Sequence, residues 1–298
     1  MSSPVAPEVV LDLLAKLLPR DLHGNVVLVG SLAAAYHHRE RVGGSVRTKD
    51  ADVMVQPAGA LLECRRIGEL LIAEGWRPME WLRDPAAEGV RRLPVARLVP
   101  PSLGSFYVEL IGVPSEAQED PVSWIPYELY GTPYVLPCHR FLVVALRGAL
   151  TSGAGIRYAA PGMMALSNIL SHRRLGTENV REPIEGLEVR RSSKDLGRVL
   201  VLAQLAGLDE MDTWLVDWAD ALCAHFRDEA DALASDAGRG LRELLDDPSA
   251  MEEARHVAEV GLLRGQGIDV GALRAVAARL FSLVLEPLPA LVAERLKP

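Results

Sequence analysis

Apolar positions in the first half of the chain follow the spacings of both strands and helices. Residues 26–29 (VVLV) form a continuous apolar run, which is typical of a strand buried on both faces. Further strand-like segments are DADVMV (50–55), RLPVARLV (92–99) and SFYVELIGV (105–113). Apolar residues three and four apart predict helices at 7–18, 31–41 and 58–75. The first half is therefore predicted to alternate strands and helices.

From about residue 138 the apolar spacing becomes helical. Amphipathic runs occupy residues 139–150, 161–174, 194–206, 213–234 and 271–285. The charged and turn-rich residues 173–193 predict an exposed loop. We predict an α+β fold in which a core with a short mixed sheet, residues 1–137, precedes a C-terminal helical bundle, residues 138–298, that binds substrate or a partner.

Composition limits the class of protein. The chain has 298 residues, of which 49% are hydrophobic, and this is enough for a sizeable core. The first residues given do not have the pattern of a basic and apolar leader, and charged residues or prolines interrupt the apolar runs near residues 141 and 283. We therefore expect a cytoplasmic protein without a membrane segment. The three cysteines are far apart and lack CxxC spacing, which argues against a disulfide framework or a zinc ribbon.

Charge is distributed unevenly along the chain. The net charge of −8 argues against a protein that coats nucleic acid. Residues 205–298 contain 9 basic and 18 acidic residues, whereas the first 204 residues are close to neutral. A ligand that carries phosphate is therefore predicted to bind within residues 1–204.

Three acidic residues occupy strand positions where carboxylates are uncommon. Asp50 and Asp52 are two residues apart and share one face of their strand. In the later strand, alternation places Glu109 as the single acid on one face. Carboxylates this close raise one another's pKa unless a cation or hydrogen-bond donors stabilise them, and Mg²⁺ prefers oxygen ligands. The alternative is a solvent-facing strand start in which the aspartates bond Arg47, Thr48 or Lys49.

A Gly-Ser pair stands between the first buried strand and the helix that follows it. Gly30 and Ser31 would leave backbone N–H groups and a hydroxyl directed outward, an arrangement that commonly holds a phosphate. The alternative is that Gly30 permits a tight turn and Ser31 caps the helix. In the same predicted helix, His37 and His38 are adjacent and should point in different directions, so we do not expect them to share a metal.

The order strand, Gly-Ser, helix, and then Arg-x-x-Asp-x-Asp on the next strand resembles the polymerase-β-type nucleotidyltransferase superfamily. Within it, the chain looks most like AbiEii-type toxin and abortive-infection nucleotidyltransferases. The resemblance is strongest over residues 26–55 and extends to about residue 206. Segments 157–174 and 190–207 contribute to it, since related proteins often place a lysine-bearing helix before a Lys-Asp-Leu helix.

The resemblance implies a nucleotidyltransferase-type core and a role for each matched residue. Gly30 and Ser31 would hold the terminal phosphates of a nucleoside triphosphate such as ATP, and Asp50 and Asp52 would bind Mg²⁺. Glu109 would complete the metal site and activate the acceptor. Three basic residues are further candidates for nucleotide binding: Arg47 and Lys49 beside the aspartates, and Lys194 with its neighbour Asp195 in the Lys-Asp-Leu motif. The alternative for the basic cluster of Arg39, Arg41, Arg47 and Lys49 is a solvated helix end and loop.

Three departures from the family pattern bear on activity. Eighteen residues separate Ser31 from Asp50, which is longer than in the most compact members. The third acid is Glu109, where Asp is commoner. Ser167-Asn168 stands where related chains place His-Lys, so that one phosphate-binding cation is unassigned unless Arg173, Arg174 or Lys194 replaces it.

These features lead to three hypotheses from different classes. The first is a Mg²⁺-dependent transferase that moves a nucleotide from a triphosphate to RNA, such as a tRNA end, or to a protein hydroxyl. It would act as a toxin or in phage defence, with a possible cognate antitoxin. The second is a small-molecule adenylyltransferase of the aminoglycoside type, because the acidic C-terminal third would suit a cationic substrate. The third is a degenerate nucleotide-binding or partner-binding module.

Overall fold

A computed structural model describes residues 4–57, 59–81, 89–102, 106–115, 119–172, 180 and 183–297. It divides the chain into two compact units. The first comprises Met1–Tyr36, Gly44–Leu142 and Ala149–Ala159, and the second comprises His37–Gly43, Val143–Gly148 and Ala160–Pro298. Strands dominate the first unit and helices the second, which confirms the α+β prediction. The functional boundary after residue 137 stays a prediction.

The strands of the described residues all belong to the first unit. They are β1 (Pro4–Val5), β2 (Val26–Val29), β3 (Val46–Arg47), β4 (Asp50–Val55), β5 (Arg77–Trp81), β6 (Val95–Val99), β7 (Tyr107–Ile111), β8 (Val122–Leu129), β9 (Thr132–His139), β10 (Leu150–Thr151) and β11 (Arg157–Tyr158). The helices that begin in this unit are α1 (Pro7–Leu17), α2 (Arg20–His23), α3 (Gly30–His37) and α5 (Leu61–Ala73), with 3₁₀ turns at Gly89–Arg92 and Arg140–Leu146.

Nine of these strands form one mixed sheet among the described residues. Its order is β10-β11-β2-β4-β7-β6-β9-β8, with β5 pairing to β6, and β1 and β3 form a separate pair. Strand β4 runs antiparallel to β2 and parallel to β7, and β7 runs antiparallel to β6. All four residues of β2 are buried, as its continuous apolar run predicts. At one end of the sheet, β8 carries Pro126 and an exposed Glu128.

Several strands were not predicted because prolines and aromatic residues made their segments look like turns. Strand β5 contains Pro78, and β8 and β9 form a hairpin whose two loop residues, Tyr130 and Gly131, both have positive φ. The helix predicted over 139–150 is wrong. The chain makes a 3₁₀ turn there and then strand β10, after Gly148 adopts φ +64°.

The second unit is built from helices. They are α4 (Arg39–Val42), α6 (Pro161–Ser171), α7 (Arg191–His225), α8 (Ala230–Asp246), α9 (Pro248–Val260), α10 (Val270–Leu280) and α11 (Leu288–Arg295), with a π-helical turn at Phe281–Leu285. Helix α7 packs against five of the others: α6, α8, α9, α10 and α11. Its apolar stripe includes Trp214 and Trp218, whose stacked rings lie 5.7 Å apart, and the Trp218 indole donates a hydrogen bond to Gly162 O at 2.9 Å.

The two separate helices predicted at 194–206 and 213–234 correspond to the two segments of α7, which meet at a kink at Gly207, where φ is 71° and ψ is −164°. The second segment ends at His225, earlier than predicted. Residues 173–179 and 181–182 of the predicted loop lie outside the described residues, and this includes the candidate cations Arg173 and Arg174.

One segment, Val270–Arg295, is long and apolar enough to cross a membrane by length and composition, with a mean hydropathy of 1.6. Its buried residues include Leu273, Leu280, Leu288 and Val292, 44% of its most apolar stretch is buried, and α10 and α11 pack against α7. This burial is typical of the core helices of a folded domain.

Candidate active site

The register of the central strands brings the predicted acidic residues into one row. Asp52 on β4 lies opposite Val29, the last residue of β2, and opposite Glu109 on β7. On the same face of the sheet, Asp50 lies opposite Tyr107, which precedes Glu109 by two residues. Residues from three parts of the sequence are therefore neighbours on central strands of the sheet, near the end of β2 and the starts of β4 and β7.

The turn from β2 into α3 contacts this row through Gly30. Its φ of +73° belongs to the left-handed region, which side chains disfavour. A Cβ atom at this position would lie 3.1 Å from Oδ2 of Asp52. Ser31 follows as the second residue of α3 and is half-buried. Glycine therefore allows both the turn and the close approach of the backbone to the Asp52 carboxylate.

Two hydroxyl groups hold the Asp50 carboxylate. Thr48 Oγ1 donates to Oδ1 at 2.8 Å, and the Tyr107 hydroxyl donates a longer bond to Oδ2 at 3.5 Å. Burial raises the pKa of Tyr107, and the negative charge of Asp50 raises it further, so the phenol remains a neutral donor. The bond from Thr48 is one of those expected if β4 simply begins at a solvent-facing position. Asp50 nevertheless lies on the same face as Asp52 and Glu109.

Glu109 is paired with an arginine that the sequence analysis did not select. Arg97 on β6 lies opposite Glu109, and its Nε donates to Oε2 at 3.1 Å. Burial raises the pKa of Glu109, and the Arg97 guanidinium offsets only part of that rise. Arg97 also lies 4.4 Å from the centre of the Tyr107 ring. The signal in the sequence was a single charge at the centre of the apolar strand VARLV.

The donor set fits a hard cation, although the three acids are not gathered around one point. Carboxylate oxygens of Asp50 and Asp52 are suitable Mg²⁺ ligands, and the missing side chain at Gly30 leaves Asp52 accessible from the turn. One oxygen of Glu109 already accepts a bond from Arg97. Among the described residues, the acids and histidines whose ligand atoms all lie within 4.8 Å are a different set. The two aspartates therefore fit the ion better than the complete triad does.

The other predicted nucleotide-binding residues lie in three different parts of the structure. Arg47 is in β3, opposite Pro4 of β1. Lys49 is exposed and its carbonyl accepts a bond from the Tyr107 backbone N–H at 3.0 Å. Lys194 is in α7 of the second unit, with Nζ 4.0 Å from Oδ1 of Asp195. The roles of these three residues stay predictions.

Ser167 and Asn168, which replace the His-Lys of related chains, make contacts inside helix α6. The Asn168 amide donates to Met164 O at 2.8 Å, and Ser171 Oγ donates to Ser167 O at 2.7 Å. Ser167 is buried. These are ordinary helix contacts, and neither side chain supplies a cation for phosphate.

Comparison with known proteins leaves the family open. No protein-family model and no curated protein sequence matches the chain. Among solved structures, a similarity is found to the CD-NTase CdnG of Bradyrhizobium diazoefficiens in complex with GTP, with 13% sequence identity over 97% of this chain and 98% of that one. The TM-score is 0.25, a level that assigns neither fold nor activity.

Proposed function

We propose that this protein is a Mg²⁺-dependent nucleotidyltransferase. The observation that carries the proposal is the row in which the Gly30 turn, Asp52 and Glu109 occupy adjacent strands, with Asp50 two residues away on the same face. A glycine turn beside carboxylates would suit the transfer of a phosphoryl-linked group, and this arrangement supports the proposal.

In this proposal the first turn of α3 binds the triphosphate. Backbone N–H groups at a helix start point outward and carry partial positive charge, and the Ser31 hydroxyl adds a donor. The absence of a side chain at Gly30 lets phosphate approach the backbone beside Asp52. Asp50 and Asp52 would hold Mg²⁺, which when bound neutralises charge on the triphosphate and on the departing pyrophosphate.

Glu109 is assigned the proton transfer. An acceptor hydroxyl gives its proton to the Glu109 carboxylate as its oxygen forms a bond to the α-phosphorus. The bond from that phosphorus to the bridging oxygen breaks, and pyrophosphate leaves. Arg97 is a positioning residue in this proposal, since its Nε donates to Oε2 of Glu109. The raised pKa of Glu109 brings this base nearer to neutral pH.

The acceptor is proposed to be RNA, such as a tRNA end, or a protein hydroxyl, in a cytoplasmic toxin or phage-defence system with a cognate antitoxin. This part of the proposal rests on the resemblance of residues 26–55, 157–174 and 190–207. A cationic small molecule such as an aminoglycoside is the alternative acceptor, because residues 205–298 are strongly acidic.

A specific observation favours a second function, nucleotide binding without turnover. Arg97 occupies one oxygen of Glu109, and Ser167 and Asn168 supply no phosphate-binding cation. In that case the protein would bind a nucleoside triphosphate through the Gly30 turn and transfer nothing.

The deciding experiment incubates the purified full chain with Mg²⁺, each of four α-labelled nucleoside triphosphates, and total RNA, lysate protein or an aminoglycoside. Label on RNA or protein that is lost in Asp52→Asn and retained in Asp12→Asn would support the first function. Asp12 is an exposed residue of α1, so the control removes the same charge elsewhere. Nucleotide binding without transfer to any acceptor would favour the binding module. Expression of the wild type that does not slow growth would contradict the toxin role.

A further inference from the structure

Three side chains of metal-binding type converge in the second unit, and the proposed reaction uses none of them. Nε2 of His37 and Nε2 of His38 lie 3.6 and 3.9 Å from Oε2 of Glu210. One ligand atom from each residue lies within 4.8 Å of the other two. In the part of the chain that the structure describes, this is the one such group of acids, cysteines or histidines.

The separations are close to those of a bound transition metal. Zinc bonds to histidine nitrogen and carboxylate oxygen of about 2.0–2.2 Å place neighbouring tetrahedral ligands about 3.3–3.5 Å apart. The observed distances from the histidines to Glu210, 3.6 and 3.9 Å, exceed this by a few tenths of an ångström, and the ligand atoms of the two histidines lie within 4.8 Å of each other. Small side-chain rotations would therefore bring these three atoms onto one ion.

His38 is the member of the group that most needs an explanation. Its side chain is only 6% exposed, yet Nε2 makes no hydrogen bond in the described structure. The 3.9 Å separation from Glu210 is too long for a hydrogen bond. A buried polar nitrogen without a partner destabilises a fold, and a metal ion at this position would satisfy it.

Two breaks in helical structure build the cluster. Helix α3 ends at His37, and His38 has non-helical φ −99° and ψ 29° before α4 begins. The two rings therefore come within 4.7 Å, with planes at 80°, and the expectation that these neighbours point apart is wrong.

The second break is at Gly207 in α7, three residues before Glu210. Its φ of 71° and ψ of −164° are accessible essentially only to glycine. The Arg41 guanidinium donates to Leu205 O, a carbonyl just before this break. The break sets the direction of the helical segment that carries Glu210.

The cluster borders a cavity of about 250 Å³, which has room for water beside the three ligands. Arg39, Glu40 and Arg41 also line it. Two arginines and two glutamates leave no excess negative charge to attract a cation. Imidazole ligands favour zinc-like metals over Mg²⁺, and we expect the affinity to be weaker than that of structural zinc sites with cysteine ligands.

We propose that His37, His38 and Glu210 bind one Zn²⁺ ion, with the fourth position open to water in the cavity. Sites with three protein ligands and one open position are the arrangement of zinc centres that bind exchangeable ligands. The inference does not depend on the proposed nucleotidyl transfer, because it uses none of the residues of the strand row.

The test uses the full chain, stripped with a chelator and then titrated with Zn²⁺ by calorimetry. Co²⁺ is added separately so that its visible absorption reports the coordination geometry. We expect one ion per chain and a tetrahedral Co²⁺ spectrum. His37→Gln and Glu210→Gln should each weaken Zn²⁺ binding by at least about tenfold, since even outer-sphere changes cost that much.

Matched variants separate this outcome from misfolding. His37 and Glu210 are 27% and 29% exposed, so their substitution disturbs the core less than that of His38. Asp209→Asn removes a charge one residue earlier on the same helix, where the side chain is exposed, and should bind Zn²⁺ like the wild type. Circular dichroism melts of the metal-free variants verify folding. Absence of stoichiometric binding to the wild type, or binding unchanged in both folded ligand variants, would overturn the proposal.

Discussion

The strand carboxylates and the His37–His38–Glu210 cluster differ in how the chain assembles them. Asp50, Asp52 and Glu109 lie at regular strand positions, and pairing between strands aligns them. The histidine cluster depends on places where regular structure stops, at His38 and Gly207. Regular structure therefore supplies an oxygen-rich row suited to Mg²⁺, whereas irregular backbone supplies an imidazole-rich group suited to Zn²⁺.

The largest expected effect is on nucleotidyl transfer, and it would show that the strand carboxylates and the histidine cluster act separately. Asp52→Asn should lower nucleotidyl transfer by about 100-fold or more, because one charged ligand of the row is lost. The same variant should keep wild-type Zn²⁺ binding in calorimetry. Loss of both properties in a folded Asp52→Asn protein would mean that the two groups are one site and that the comparison is wrong.

The glycine turn gives the next largest effect. Gly30→Ala places a Cβ 3.1 Å from Asp52 Oδ2 and imposes a strained φ, so we expect kcat/KM to fall about tenfold. Gly43→Ala is the matched control, since Gly43 has φ +79° and a Cβ at this position would have no neighbour within 4 Å. Equal activities of the two variants in the labelled-nucleotide assay would show that only backbone strain matters at Gly30.

A third variant tests whether irregular backbone builds the histidine cluster. Gly207→Ala should destabilise the protein by about 1–3 kcal/mol, because its backbone conformation suits only glycine. It should also weaken Zn²⁺ binding, as Glu210 loses its position. Gly265→Ala has a comparable φ of +73° in open space and should leave Zn²⁺ affinity unchanged. Thermal melts and Zn²⁺ titrations of both variants measure this, and an unchanged affinity in Gly207→Ala would count against the role of the break.

The smallest expected effect is on the pH dependence of stability, and it comes from comparing two Glu–Arg pairs, one in each unit. Burial raises the pKa of Glu109, whereas Glu253 has a lowered pKa because hydrogen bonds from Arg190 outweigh its burial. A lowered carboxylate pKa stabilises the fold above its unfolded value near 4.5, and the contribution disappears as pH falls below that value.

We expect Arg190→Met to lower the free energy of unfolding by about 1 kcal/mol at neutral pH, with the difference from wild type shrinking at acidic pH. Arg198→Met is the control, because Arg198 is 43% exposed and 4.0 Å from Asp195. Denaturant unfolding from neutral pH to pH 3 measures both. A difference that grows as the solution becomes more acidic would reverse the assigned sign.

Regular structure was also easier to predict from the sequence than irregular structure. Alternation with period two identified the faces of β4 and β7 from the sequence, and β2 was visible as an apolar run. Strands β8 and β9 were missed because Pro126 and the Tyr130-Gly131 turn resemble loop signals, although such a turn is what a hairpin requires.

Partners that lie across the sheet were harder to predict than faces. Arg97 could be noticed as a charge in an apolar strand, but its pairing with Glu109 depends on β6 being adjacent to β7, which no local pattern encodes. The meeting of His37, His38 and Glu210 depends on a helix end and on a break 170 residues later in the chain, and periodicity describes only unbroken helices.

The end of the sheet at β8 has a consequence for self-association. Pro126 removes one backbone donor from this last strand, and Glu128 is exposed beside it. The strand at the opposite end, β10, has only two residues. Short, proline-bearing or charged edges are poor templates for adding another strand, so pairing with the sheet of a separate copy is disfavoured at these two edges.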